Sequence, residues 1–253
     1  MVNLSNKQII LLSAGMGRRL GKLGKIQPKS LIKINHETLI LRLIRILSLR
    51  KAKKIFVLVG YKSEQIKREL KKVKNTSIKF VKIKNYSKYG HSYTWYSFKK
   101  FWSPQKDLLI LHTDIIFNPK ILDNILKSKF KSVIGIKSKR NHKLFPKSFV
   151  VRTDKKNRVL RIDYKNKLKV FSGEIIGINK ISKNTMKKLF EFMRKLFLEK
   201  KNRKLSWEQV VDMFATEKRG LLFALKNQTS HWVNINKLKD IKIAKRVFKN
   251  ARY

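Results

Sequence analysis

Short β-rich runs at 8–13, 54–60 ("KIFVLVG"), 78–83 and 108–112 ("LLILH") alternate with segments of helical periodicity through the first half of the chain. Leucine and isoleucine recur at three-to-four spacing over 39–49, a polar helix is expected over 63–72, and an aromatic one over 92–101. Strands without polar alternation are buried on both faces, which is the habit of parallel sheets, and parallel neighbours need helical crossovers between them. The order predicts an α/β fold, a mostly parallel Rossmann-like central sheet flanked by helices. Ligands of such sheets sit at the carboxyl ends of the strands.

The second half changes character. Strands are expected at 133–136, 149–153, 159–163 and 173–178, with the turn "DKKNR" marking an inserted β-hairpin. Helices follow at 184–200 and 206–218, the second capped by Ser206, then a strand at 221–225, the segment "HWVNIN" and a helix at 238–248. No linker or compositional break interrupts the 253 residues, so a single domain over 1–253 is expected. Cysteine is absent, which excludes disulfides and thiolate metal sites. No apolar run approaches the ~20 residues of a membrane span, and no signal-peptide pattern is found. The expectation is a cytoplasmic protein with no membrane partner; oligomeric state is not legible.

Sixty-three lysines and arginines against 15 acidic residues give a formal charge of +48. Such a balance suggests a nucleic-acid binder. The lysines are nevertheless spread over nearly every exposed turn rather than gathered in a stripe, and asparagine and isoleucine are abundant too, as A/T-rich coding would produce. Nucleic acid is therefore not the expected partner, and a nucleic-acid-binding protein is kept as an alternative of a different class.

After the first strand the chain reads "LLSAGMGRRLGKLGKIQPKSL" from Leu11 to Leu31. This is read as a loop that cannot be helical. Ala14, Gly15 and Gly17 leave backbone N–H groups accessible to phosphate oxygens, and Arg18, Arg19, Lys22, Lys25 and Lys29 supply charge. Neither the Walker loop nor the GxGxxG fingerprint is present, since Leu20 stands where a third glycine belongs. Asp114, at the end of 108–112, is one of few carboxylates and sits at a strand terminus. It is read either as a turn or cap aspartate before Asn118-Pro119 or as a magnesium ligand. Six aromatics crowd 85–98; Trp95 and Phe98, with Phe101, share a helical face and are expected in the core. The others stand where they can stack on a base or enclose a cationic headgroup.

Leu12-Ser13-Ala14-Gly15-Met16-Gly17-Arg18-Arg19-Leu20 followed by Pro28-Lys29-Ser30-Leu31 resembles the nucleotidyltransferase signature LxAGxGxRL…PKxL. Gly60-Tyr61, the stretch from Asn85 through Ser97-Phe98, and Gly173-Glu174-Ile175-Ile176-Gly177-Ile178 extend the likeness to bacterial cytidylyltransferases that use CTP with phosphocholine, 2-aminoethylphosphonate or phosphoglutamine. The resemblance implies a GT-A-type fold with a nucleotide-binding half (1–130) and an acceptor-binding half (131–253). It implies CMP transfer from CTP to a small phosphorylated acceptor for cell-surface or capsular polysaccharide modification, with Mg2+ as cofactor and release of pyrophosphate. A sugar-1-phosphate nucleotidyltransferase using another NTP is the alternative within enzymes. Residue by residue it implies Arg19 and Lys29 on the phosphates as catalytic groups. Leu12, Ser13, Ala14, Gly15, Gly17, Arg18, Gly60 and Ser97 would hold the nucleotide, and Asp114 with Asn236 the metal. Asn85, His91, Tyr93, Lys165 and Glu174 are acceptor-side residues, though for Lys165 a solvated surface lysine is the preferred reading. Trp232-Val233-Asn234-Ile235-Asn236 departs from the family's WxEIDT by carrying asparagine in place of both carboxylates. His36, His112, His142 and His231 are read as ordinary polar residues.

Overall fold

Alternating burial along the central strands builds the fold. In β1 (Gln8–Ser13), Ile9 and Leu11 face one side of the sheet and Ile10 the other, and every one is almost fully buried. The computed structural model describes residues 2–138, 148–164, 167–227 and 231–249. After β1 come α1 (Lys22–Ile26), a small hairpin of β2 (Lys33–Ile34) and β3 (Glu37–Thr38), and α2 (Leu39–Ser48), capped by the Thr38 side chain. The first half continues with β4 (Lys54–Val59), α3 (Ser63–Leu70), β5 (Ser77–Lys82), α4 (His91–Ser97), β6 (Leu108–His112), β7 (Ile115–Phe117) and α5 (Lys120–Lys127). The second half holds β8 (Val133–Ser138), β9 (Phe149–Thr153), β10 (Val159–Tyr164), β11 (Gly173–Ile181), α6 (Lys183–Leu196), α7 (Trp207–Glu217), β12 (Phe223–Asn227), β13 (Trp232–Asn234) and α8 (Leu238–Val247).

The large sheet runs β10-β9-β11-β6-β1-β4-β5, with β8 pairing β11 and β12 off that path. Its centre, β6-β1-β4-β5, is parallel as the buried runs require, while β11, β9 and β10 add antiparallel strands on one side. The hairpin expected at "DKKNR" is the antiparallel β9–β10 pair. One face of the sheet is covered by α4, α6 and α7 through Trp95, Phe98, Leu189, Phe190 and Trp207, with the Trp95 and Trp207 rings stacked 5.3 Å apart. The other face packs α2, α3 and α5 through Leu43, Leu47, Ile66, Ile121 and Ile125. Among the described residues no helix is long and apolar enough to cross a membrane.

Three expectations change. The glycine-rich segment is not free of helix: it folds as a 3-10 turn at Arg18–Leu20, the short α1 and a second 3-10 turn at Lys29–Leu31. Gly17 and Gly21, both at positive φ, cut it into single turns too short to be legible as periodicity. Phe101 leaves the core and is 40% exposed, because α4 ends at Ser97 and a 3-10 turn rotates the ring outward. Helix α5, which was not expected, buries Ile121, Leu122, Ile125 and Leu126 right after Asn118-Pro119.

Candidate active site

The carboxyl ends of β1 and β6 lie side by side and are stitched together, Thr113 Oγ1 donating to the Leu12 carbonyl at 2.7 Å. The chain leaving β1 becomes the glycine loop, and the chain leaving β6 carries Asp114. Ser13 Oγ donates to Ser30 Oγ at 2.7 Å in buried surroundings, which anchors the Pro28-Lys29-Ser30 turn beneath the loop. Gly17 takes a left-handed conformation, and a Cβ there would stand 3.0 Å from Lys29 Cγ, so the absent side chain is the passage through which the lysine stem runs.

Lys29 thereby reaches the end of β6. Its Nζ donates to Asp114 Oδ2 at 2.7 Å and to Asn236 Oδ1 at 3.0 Å; Arg19 Nη2 donates to the same Asn236 Oδ1 at 2.7 Å. A small apolar cluster brings these distant parts together: Leu20, from the Arg19 turn, packs with Ile116, Ile235 and Phe248. The short β7–β13 ribbon runs out of the site, and Ile235 N–H donates to the Asp114 carbonyl at 2.7 Å. Burial acts to raise the Asp114 carboxyl, yet the Lys29 ammonium, helped by His112, brings it down to about 2. Asp114 is a fixed anion beside a fixed cation.

These groups open onto a cavity of about 480 Å³. Its basic end is lined by Leu12 through Arg18 and by Lys29, and its floor by His112, Thr113 and Asp114. Tyr86, Tyr89, His91, Tyr164, Lys204 and Gln209 form a second part of its wall. Close backbone approach builds that second wall: Gly90 N–H donates to the Arg203 carbonyl at 2.8 Å, and a Cβ on Gly90 would collide with the Leu205 carbonyl. Helix α7 begins at the rim, its Ser206 cap locked by a reciprocal bond with Gln209. In its first turn, burial, with Asp114 adding repulsion, pushes the Glu208 carboxyl up to about 7.

Of the residues singled out in the sequence, Leu12, Ser13, Ala14, Gly15, Gly17, Arg18, Lys29, His91 and Asp114 line this one cavity, while Arg19 and Asn236 flank it through Lys29. Others do not reach it. Gly60 stands behind the wall, where a Cβ would overlap the Tyr86 ring at 2.6 Å. Ser97 Oγ donates back to the Tyr93 carbonyl at 2.8 Å and is turned into its own helix. Tyr93 packs between Tyr89 and Phe197, and the Asn85 carbonyl closes the turn to Lys88 and Tyr89. Glu174 faces Lys137 across β11 and β8, and Lys165 lies outside the described residues. His112, read as ordinary, has its buried Nε2 without a partner on the cavity floor, and burial pushes it down to about 4. A strand-end histidine two residues before the aspartate was the available signal for it.

The residues suit a magnesium ion in one respect. Asp114 offers an ionised carboxylate at the cavity floor, and Mg2+ takes one or two such oxygens and completes its shell with phosphate and water. Among the described residues no cluster of three or more His, Asp or Glu side chains is arranged to hold a metal, so a magnesium ion here would take most of its ligands from phosphate and water.

The family model described as nucleotidyl transferase matches residues 8–174. Among solved structures, the CTP:phosphocholine cytidylyltransferase of Streptococcus pneumoniae superposes with a TM-score of 0.80 at 19% identity, over 96% of this chain and 99% of that one. The inositol-1-phosphate CTP transferase of T. maritima gives 0.78 at 14% identity, over 98% and 99%. A UDP-glucose pyrophosphorylase complexed with UDP-glucose gives 0.76 at 14%, over the full length of both chains.

Proposed function

The chain belongs to the nucleotidyl transferase family, and from that premise we propose that it transfers CMP from CTP to a small phosphorylated headgroup, releasing pyrophosphate, for modification of a cell-surface polysaccharide. The observation that carries this reading is one cavity lined both by the basic glycine loop and by aromatic side chains. A basic glycine loop suits a triphosphate, and a wall of Tyr86, Tyr89 and Tyr164 suits a base or a small, cationic tail. Phosphocholine, aminoethylphosphonate and phosphoglutamine each offer a phosphoryl oxygen with a compact polar tail.

An acceptor phosphate oxygen attacks the α-phosphorus in line; the new P–O bond forms as the bond to the leaving pyrophosphate breaks. The nucleophile is already an anion, so no general base is needed, and the protein's task is to hold two polyanions together. Backbone N–H groups of Ser13 to Gly17 cradle the triphosphate. Lys29, Arg18 and Arg19 neutralise charge that moves onto the leaving group. Asp114 would hold Mg2+, which when bound would supply a further positive charge against the phosphates. His91 and Gln209 orient the acceptor.

The test is pyrophosphate release with Mg2+, each of CTP, UTP, ATP and GTP, and a panel of the three headgroups and sugar 1-phosphates. Release with CTP and one headgroup is the expected result. Turnover only with a sugar 1-phosphate and another NTP would overturn the substrate assignment in favour of a sugar-1-phosphate nucleotidyltransferase, a reading to which the shared fold of the UDP-glucose pyrophosphorylase also lends itself.

A further inference from the structure

The carboxamide of Asn236 accepts from two cations at once, Arg19 Nη2 at 2.7 Å and Lys29 Nζ at 3.0 Å. Both partners are donors only, so the atom facing them is the oxygen, and two donors use its two lone pairs. The residue is itself clamped. Asn236 and Lys237 N–H groups donate to the buried Asp240 carboxylate at 2.8 and 2.7 Å, Ile235 is wholly buried, and its N–H is tied to the Asp114 carbonyl. An oxygen so placed has no capacity left for a metal.

Charge decides what the arrangement is for. Arg19, Lys29 and Asp114 together carry one net positive charge. A carboxylate at 236 would cancel it and hold both cations in ion pairs; a carboxamide fixes their direction and leaves the charge in place. We propose that Asn236 is a positioning residue that aims Lys29 and Arg19 at the phosphates of the nucleotide, and that it does not ligate the metal. The proposal rests on the nucleotidyl transferase reading of the site, but not on the choice of CTP or headgroup.

Inorganic pyrophosphate, titrated calorimetrically into the full chain in EDTA at 0.15 M salt, tests it without metal or turnover. Wild type is expected to bind, Lys29→Ala to bind far more weakly, and Asn236→Ala to lose about tenfold, the scale of one hydrogen bond to a charged group. The near-isosteric Asn236→Asp is expected to lose at least as much through charge cancellation, and it serves should the alanine variant melt early. The Mg2+ concentration giving half-maximal activity is expected to be the same in Asn236→Ala and wild type. Undiminished metal-free binding in both 236 variants, with a raised Mg2+ requirement in Asn236→Ala, would mark a metal ligand and overturn the proposal while leaving the phosphate site intact. Equal binding by wild type and Lys29→Ala would overturn the phosphate site itself and the proposal with it.

Discussion

Replacing Lys29 by alanine removes a side chain that links the turn beneath the glycine loop to the end of β6 and to the C-terminal segment. Its strength is measured by its neighbour: against burial, the ammonium at 2.7 Å carries the Asp114 carboxyl from an ordinary 3.8 down to about 2. That net depression corresponds to roughly 2–3 kcal/mol of preference for the ionised carboxyl, or about sixtyfold in an equilibrium. For catalysis this is a floor, because the transferring phosphoryl oxygens carry more charge than a carboxylate, and loss of one preorganised donor costs on the order of a hundred- to a thousandfold. We expect kcat/KM for the nucleotide in Lys29→Ala to fall about a hundredfold, read as pyrophosphate release at pH 7.5. The lysine side chain is largely shielded, 14% exposed, and its loss leaves the Asp114 carboxylate without its cation, so the melting temperature should fall by several degrees. A variant that keeps its melting temperature and loses less than about fivefold would refute the reasoning, since it would place the phosphates away from Lys29.

Asp114→Ala should slow the same release by on the order of a hundredfold, and near-normal turnover would remove Asp114 from the proposed metal site. Gly60→Ala forces a Cβ into the Tyr86 ring; a severalfold rise in KM with a smaller change in kcat is expected, with about 1–3 kcal/mol of destabilisation in denaturant melts. Glu208 binds its proton more tightly folded, at about 7, than unfolded, near 4.5, so its contribution is full below the unfolded value and lost as pH rises through 7. Glu208→Gln should therefore melt several degrees above wild type at pH 8, and the gap should close near pH 4. With a formal charge of +48, the wild-type melting temperature should climb between 50 and 500 mM NaCl, and a flat response would show the lysines to be too well separated to repel.

The parallel core was legible because β1, β4 and β6 are buried on both faces and interrupt helical periodicity sharply, as Leu108 to Leu111 do, while β5 closes the edge with mostly exposed residues. That the glycine loop and Asp114 would meet was legible, since both follow buried strands whose carboxyl ends lie side by side, and they line one cavity. What escaped was set by packing between distant segments. Nothing near Ser97 states that its hydroxyl will turn back onto Tyr93, and nothing in 203–209 states that Gly90 will lie against it. Helical turns of three to five residues fall below any period a sequence can display. Tyr164 and Lys204 reach the cavity only through antiparallel strands and helix caps whose register is a property of the folded sheet.

Arg19 and Asn236 are 217 positions apart, and this has a consequence for the life of the molecule as it is made. A ribosome releases the glycine loop early, and the parallel strands can pair while the oxygen that orders its cations is still unsynthesised. A nascent chain stopped before β13 would lack the oxygen that accepts from Arg19 and Lys29 in the finished fold. The same distance works in reverse in the finished protein. On the proposed reading, a triphosphate held by Lys29 and Arg19 would tie the first turn of the fold to the segment before its last helix, and hydrogen exchange at the Ile235 and Asn236 amides should slow when nucleotide is added.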